Sequence, residues 1–571
     1  MSSDAMSSDA MSSDAMSSDA VSSDAVSSDA VSSSFTSEVL ETPSCYDALL
    51  APFAVPIDDQ LRQWAERYGD RIALSDAQRR LSYAALNDQV DVAAGHLHAM
   101  GIGAGDHAVL QLPNGVDFVI ALFALMRSGA LPILAIPSLR AHDLVPIIKA
   151  THPVAYFTAD SQHLERTLAL AKHSDCLRHM IVSHPSAPLP NDPRVTRLSD
   201  LYCPSPSPPA RRRRSGRDIA LLLLSGGTTG TPKLIPRTHA DYSYNICASA
   251  ALCGLNEHSV YLAVLPIAHN FPLACPGLLG ALYQGGRAVL SETASVDDAM
   301  PLIEREGVTH VALVPALARL WQQAREWESS DLSSLRVIQV GGARLDPQVA
   351  KALRATFSCT LQQVFGMAEG LLCCTRLDDD DTTQCFTQGR PLSALDEVRI
   401  VDDHDAPLPT GHTGQLLARG PYTITAYYRA PAHSAHAFTA DGFYRTGDLA
   451  LCDAGGNLQI KGRLKEDINR AGEKISAAAI ESLVMQQPDI SDCAVVAVPD
   501  ELLGERICAF LLAHHVKLSL SALRQRLIAQ GLSPHALPDQ LIYLTHWPLT
   551  AIGKIDKQAL SRRADTASAH L

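Results

Sequence analysis

Short apolar runs alternate with amphipathic stretches along most of this chain. Leu61 to Tyr68 has helical spacing, and Ala73 to Ser75 reads as a short strand. A helix predicted from Tyr83 to Met100 ends at Gly101, and a strand from His107 to Leu112 runs into the turn Pro113-Asn114-Gly115. An apolar helix from Phe118 to Gly129 and a strand from Leu131 to Ala135 continue the rhythm, which resumes from Ala155 to Ser183. Such strand–helix–strand repetition implies a parallel α/β sheet. Further strands are predicted at Val260 to Pro266, Leu335 to Val340 and Leu361 to Phe365, with a small-residue helix ending at Tyr283. The pattern then changes. Val398 to Val401, Gly414 to Arg419 and Leu449 to Leu451 are short strands between turn residues, predicting a small β-rich subdomain. Beyond Gly462 the order is helix (Ala478 to Gln486), strand (Cys493 to Val498), strand (Ile507 to Leu512), helix (Leu520 to Gln530) and strand (Gln540 to Leu544), a compact α+β unit.

One stretch stands out chemically. Leu221 to Lys233 reads Leu-Leu-Leu-Leu-Ser-Gly-Gly-Thr-Thr-Gly-Thr-Pro-Lys. The leucines predict a buried strand. Ser225, Gly226, Gly227, Thr228, Thr229 and Gly230 follow it, a turn whose glycines admit close backbone approach to a ligand. Successive N–H groups in such a turn form an anion-binding nest, the hydroxyls add donors, and Lys233 closes the loop with a positive charge. A polyphosphate is the ligand this chemistry suits. The Walker pattern is excluded, because Pro232 precedes the lysine and Leu234 follows it.

Composition narrows the picture. The 571 residues are 46% hydrophobic and 19% charged, which fits a globular protein with a sizeable core. A net charge of −14 argues against a general nucleic-acid or membrane-surface binder. No apolar run approaches the roughly 20 residues that span a bilayer. The 13 cysteines include no C-x-x-C pair, so free thiols and a cytoplasmic setting are expected, with Cys373–Cys374 as packing. Residues 1–30 repeat Met-Ser-Ser-Asp-Ala and then Val-Ser-Ser-Asp-Ala. This polar segment is too short to bury a face, so residues 1–34 are expected to be disordered. It lacks the basic and apolar regions of a secretory signal. Residues 203–217, rich in Pro, Ser and Arg, read as a linker in which Arg211 to Arg214 form a solvated run.

The phosphate loop resembles that of the adenylate-forming enzymes: acyl-CoA synthetases, peptide-synthetase adenylation domains and beetle luciferases. Ile267-Ala268-His269-Asn270-Phe271, followed by Cys275, resembles the substrate segment of the stand-alone aryl-acid adenylating enzymes of siderophore pathways. Gly341-Gly342-Ala343, Gly366-Met367-Ala368-Glu369-Gly370, Tyr444-Arg445-Thr446-Gly447-Asp448, Gly462-Arg463-Leu464-Lys465 and Pro548 to Ile555 extend the similarity from about residue 36 to 562. It implies an α/β fold: a large domain (35–464) of two α/β subdomains and the β-rich one, with a small mobile C-terminal lid (465–571). By the same resemblance Gly341, Gly342 and Ala343 lie against adenine, Asp448 takes the ribose and Arg463 contacts the nucleotide. Glu369 and Thr229 hold Mg²⁺, Lys465 is the hinge, and Lys554 is the lid lysine that reaches the acyl carboxylate and ATP. Catalysis would rest on Lys554, His269 and Lys233. Ala426-Tyr427 stands where the family has Gly-Tyr, so a local backbone adjustment is expected.

The resemblance also bears on the substrate. Amino-acid-activating relatives carry aspartate where this chain has Asn270, and a neutral amide cannot offset a buried ammonium. An amide both donates and accepts hydrogen bonds, as an ortho-hydroxybenzoate requires. Relatives acting on 2,3-dihydroxybenzoate tend to have serine at the Cys275 position, and those acting on salicylate cysteine. Phe271, Ala343, Val364 and Leu372 fall where relatives line the aryl pocket. The expected activity is ATP- and Mg²⁺-dependent formation of salicyl-AMP, then transfer to the phosphopantetheine thiol of a separate aryl carrier protein. A 2,3-dihydroxybenzoate enzyme, an aryl-CoA ligase and a non-catalytic nucleotide-binding protein stand as alternatives. Oligomeric state is left open.

Overall fold

The computed structural model describes residues 44–568 apart from 186–187, 205–213, 226–232, 465–466, 471–472, 488, 501–502, 513–517, 531, 533 and 551–552. The chain divides into two units, Met1–Glu38 and Val39–Leu571. The expected disordered tail therefore lies outside the described residues.

Among the described residues, two large sheets form the body of the second unit. One has seven strands, in the order Val195–Arg197, His179–Val182, Ala155–Thr158, His107–Gln111, Leu131–Leu134, Ile219–Leu224, Leu234–Thr238. All neighbours are parallel except the last pair. The other has nine strands. Its central five, Thr360–Met367, Val337–Gly341, His310–Leu313, Val260–Ala263 and Arg287–Leu290, are parallel to one another. The parallel runs are apolar on both faces because helices cover both. Helix Val116–Ser128 shows why, since every residue in it is buried. One continuous core joins the two sheets through this helix and through Tyr242, Ile246 and Leu278.

The β-rich subdomain is a four-stranded antiparallel sheet, Glu397–Val401, Gly414–Arg419, Tyr444–Cys452 and Leu458–Arg463. The C-terminal domain has its own sheet (Glu473–Ser476, Asp467–Arg470, Gly504–Leu512, Cys493–Asp500, with Gln540–Leu544 beside Gly504–Leu512) and its own cores. The α/β fold with a large N-terminal and a small C-terminal domain is thus as the sequence predicts. Several strands form where the sequence reading named none, among them Arg287–Leu290 and His310–Leu313, and one of them changes the setting of the phosphate loop. The phosphate loop joins two antiparallel strands, Leu234–Thr238 returning beside Ile219–Leu224 before helix His239–Leu252 begins. The internal Pro236 disguises that strand, and its position at the sheet edge accommodates it.

The arginine run also departs from expectation. Arg211 to Arg213 lie outside the described residues, but Arg214 is no solvated side chain. Its two terminal nitrogens donate to both oxygens of Asp58, at 2.7 and 2.6 Å, and Asp58 is 0% exposed. Arg127 donates to the Asp58 carbonyl at 2.8 Å. The pair fastens the end of the linker to helix Ile57–Tyr68. Removing one member of a buried pair leaves an uncompensated charge, so Asp58→Ala is expected to cost about 3–5 kcal/mol. Chemical denaturation followed by circular dichroism should show the lowered midpoint; an unchanged midpoint would mean the pair carries no net stability.

Candidate active site

The carboxyl ends of the nine-stranded sheet gather most of the residues singled out in the sequence. Asn114 shapes the first loop. Its amide nitrogen donates to the carbonyls of Ala263, Leu265 and Ser291, and its oxygen accepts from the Ile267 N–H at 2.8 Å. This clamp fixes the path from strand Val260–Ala263 to His269. His269 caps the short helix Asn270–Ala274, its Nδ1 accepting the Phe271 N–H at 3.3 Å, so the neutral ring carries its proton on Nε2. Burial, and then the positive charge of Lys554, lower the His269 pKa to about 4.

Asn270 is held at both ends. Its Oδ1 accepts from the Tyr242 hydroxyl at 2.9 Å, and its Nδ2 donates to Cys275 Sγ at 3.3 Å. Cys275 is buried beside Asn245, and burial pushes its thiol up to about 11. The Phe271 ring lies against Gly341, where a Cβ would stand 3.0 Å from Phe271 Cζ. Val364 and Leu372 are buried on the two strands that follow, and Leu372 Cδ1 fills the space a side chain at Gly366 would need. Ala343 is exposed in the turn after Gly342.

Lys554 enters from the C-terminal domain. Its Cε would lie 3.4 Å from a Cβ at Gly342, whose φ of +85° already favours glycine. The lysine charge reaches His269 and also Asp448, whose carboxyl burial pushes up and neighbouring Arg463 pulls back down. Arg463 Nε donates to Asp448 Oδ1 at 2.9 Å. Arg319, on helix Pro315–Ala324, donates to the Ser491 carbonyl at 2.9 Å and so ties the large domain to the C-terminal one.

The phosphate loop lies at the adjacent edge. Ser225 and Lys233 close its neck through Ser225 N–H to Lys233 O and Lys233 N–H to Ser225 Oγ, both 3.0 Å. Gly226, Gly227, Thr228, Thr229 and Gly230 lie outside the described residues, as does Lys465. Lys233 Nζ stands 5.3 Å from the centroid of the Tyr427 ring, and the Tyr427 hydroxyl donates to Glu369 Oε1 at 2.8 Å. Glu369 is 8% exposed and has no salt-bridge partner among the described residues. A buried carboxylate without a compensating cation fits a hard metal ion. Among the described residues no three His, Cys, Asp or Glu side chains cluster to hold a metal. Ala426 has no positive φ, so the backbone at this position does not require glycine.

Reading the sequence gave no role to Tyr242, Tyr427 or Asn114. Each acts through a partner distant in the chain, and spacing alone gives no signal of that.

Residues 61–428 match the AMP-binding enzyme family, and residues 479–554 match the AMP-binding enzyme C-terminal domain. The chain is 45% identical to a salicyl-AMP ligase / salicyl-S-ArCP synthetase of Mycobacterium tuberculosis, over 90% of this chain and 91% of that protein. It is 44% identical to a 2,3-dihydroxybenzoate-AMP ligase of Bacillus subtilis, over 88% and 92%. The apo structure of Mycobacterium smegmatis MbtA superposes with a TM-score of 0.70 at 42% identity, covering 91% of this chain and 97% of that one. Fold and site thus define an adenylate-forming ligase. The chain belongs to the AMP-binding enzyme family.

The lowered pKa gives a direct check on His269. Its neutral form is favoured in the folded state, so its contribution to stability is complete above pH 6.5. That contribution is lost as the pH falls from 6.5 toward about 4. NMR of the imidazole, assigned by loss of its signal in His269→Gln, should show a midpoint near 4; a midpoint near 6.5 would mean the ring is solvated.

Proposed function

We propose that this protein activates an aryl acid with ATP, salicylate in the first place, and passes the acyl group to a phosphopantetheine thiol. The observation that carries the reading is the seat of Lys554 beside Gly342, within electrostatic reach of both His269 and Asp448.

In the first step a carboxylate oxygen of the aryl acid attacks the α-phosphorus of ATP. The new O–P bond forms as the bond to pyrophosphate breaks. The carboxylate is already a nucleophile, so no general base is required. Positioning and electrostatics carry the step. Lys554 stabilises the negative charge gathering on the α-phosphate and the entering carboxylate. The neutral His269, a donor through Nε2, orients the carboxylate or a phosphate oxygen. Lys233 and the loop from Ser225 to Gly230 hold the phosphates, and Asp448 accepts from the ribose hydroxyls with Arg463 beside it. Gly341, Gly342 and Ala343 offer a flat surface to adenine. Glu369, with Thr229, would hold Mg²⁺, which when bound supplies charge neutralisation on the phosphates. In the second step the thiol displaces AMP from the acyl-adenylate, and rotation of the C-terminal domain about Lys465 would alternate the two arrangements. A separate aryl carrier protein is the proposed thiol source, with coenzyme A the alternative acceptor.

Asn270 and Cys275 support the aryl-acid assignment. An amide in place of a carboxylate disfavours an ammonium-bearing substrate, and the poorly hydrogen-bonding thiol suits a ring with no 3-hydroxyl. The similarity to a 2,3-dihydroxybenzoate ligase and to a salicyl-AMP ligase is nearly equal, so the residues of the pocket carry the distinction.

Aryl-acid-dependent ATP–pyrophosphate exchange tests this directly. Lys554→Ala should lower exchange about 10²- to 10³-fold, as loss of one group stabilising transition-state charge does. Undiminished exchange would remove the lysine from the chemistry, and exchange with amino acids alone would overturn the aryl-acid reading. Cys275→Ser should shift kcat/KM toward 2,3-dihydroxybenzoate relative to salicylate by about 5- to 150-fold, the worth of one buried hydroxyl finding a partner. An unshifted ratio would place Cys275 outside the selection.

A further inference from the structure

We propose that Tyr242 sets the hydrogen-bonding polarity of the aryl-acid pocket: it turns the Asn270 amide so that only an N–H is presented to the substrate, which selects an ortho substituent able to accept a hydrogen bond. The inference rests on the aryl-acid reading above and goes beyond it to a residue outside the pocket's lining.

Tyr242 lies on helix His239–Leu252 and is 0% exposed. Among the described residues its hydroxyl has one hydrogen-bond partner, Asn270 Oδ1. The opposite orientation of the amide would point Nδ2 at the phenol oxygen and leave the phenol proton without an acceptor where water does not reach, a cost the observed orientation avoids. Two further features hold Tyr242 as a donor. The Arg237 guanidinium stands over its ring, 4.8 Å from the centroid, and favours donation by the hydroxyl. Burial keeps the phenol protonated, its pKa raised well above 10.

With Oδ1 engaged, the amide has two N–H groups to place. One donates to Cys275 Sγ. The other has no partner among the described residues, although the side chain is 94% buried. A buried N–H without an acceptor is a site for one. Salicylate supplies it. Its ortho O–H donates internally to its own carboxylate, so the oxygen turns lone pairs outward. Anthranilate does not, because its ortho nitrogen shares its lone pair with the ring and turns an N–H outward. Donor then meets donor, and the pocket rejects a molecule of nearly the same shape.

The test compares salicylate with anthranilate, by pyrophosphate exchange and by calorimetric binding, in the wild type and in Tyr242→Phe. The wild type should favour salicylate at least about 10-fold. Tyr242→Phe frees the amide to rotate and present Oδ1, and the salicylate-to-anthranilate ratio should narrow by about 5- to 150-fold. A mere loss of packing would lower both activities together and leave the ratio in place. An unchanged ratio in a variant with the wild-type thermal midpoint overturns the proposal. So does a wild type that uses both acids equally, a comparison that stands even if the variant does not fold. Activity with aryl acids regardless of the ortho group keeps the proposed function and removes this inference; no response to any aryl acid removes both.

Discussion

A single buried guanidinium connects the pieces of this site. Arg237, 1% exposed, leaves the strand that returns from the phosphate loop and pairs with Asp241 at 3.0 Å. Its remaining nitrogens donate to the carbonyls of Ala368, next to Glu369, and of Tyr422, at 3.1 and 3.2 Å. The same group covers the Tyr242 ring. One side chain therefore joins the seven-stranded sheet to the turn at the end of strand Thr360–Met367, to the segment that follows strand Gly414–Arg419, and to the aromatic ring behind Asn270. Burying such a charge is costly unless it is paired and hydrogen-bonded. The planar fork of arginine meets that demand from three directions, which the single ammonium of lysine does not.

The same economy recurs around the pocket. Polar groups proposed to face a ligand are each held by a neighbouring side chain: Asn270 by Tyr242, Glu369 by Tyr427, Asp448 by Arg463, and the loop before His269 by Asn114. Small residues do the complementary work. Gly341 makes room for the Phe271 ring and Gly342 for the Lys554 stem. Orientation is fixed before any ligand arrives, which is what an active site relying on electrostatics rather than on acid–base chemistry requires.

The sequence made the fold class and most strands legible because local periodicity records them: the predicted and observed strands at residues 107, 131, 361, 414 and 540 begin within a residue or two of one another. It did not reveal the strand Leu234–Thr238, where proline masks an edge, or that Arg214 is buried against Asp58. The residues proposed to face ligands sit in contiguous motifs, which a sequence displays directly. Their supports do not. Arg237 and Ala368 are 131 positions apart, Tyr427 and Glu369 58, and contacts of that range follow from how strands are ordered in a sheet, which periodicity does not encode.

The burial of Cys275 has a chemical consequence of its own. An acyl-adenylate is an electrophile that thiolates attack readily, and this chain carries a cysteine in the wall where such a species would form. With its pKa pushed up to about 11 by burial, the thiol stays protonated near neutral pH. The amide groups that approach the sulfur do so as hydrogen-bond donors, without a base to take its proton. In the proposed reaction such a wall would be slow to react with the acyl-adenylate formed beside it, leaving the acyl group for an external thiol.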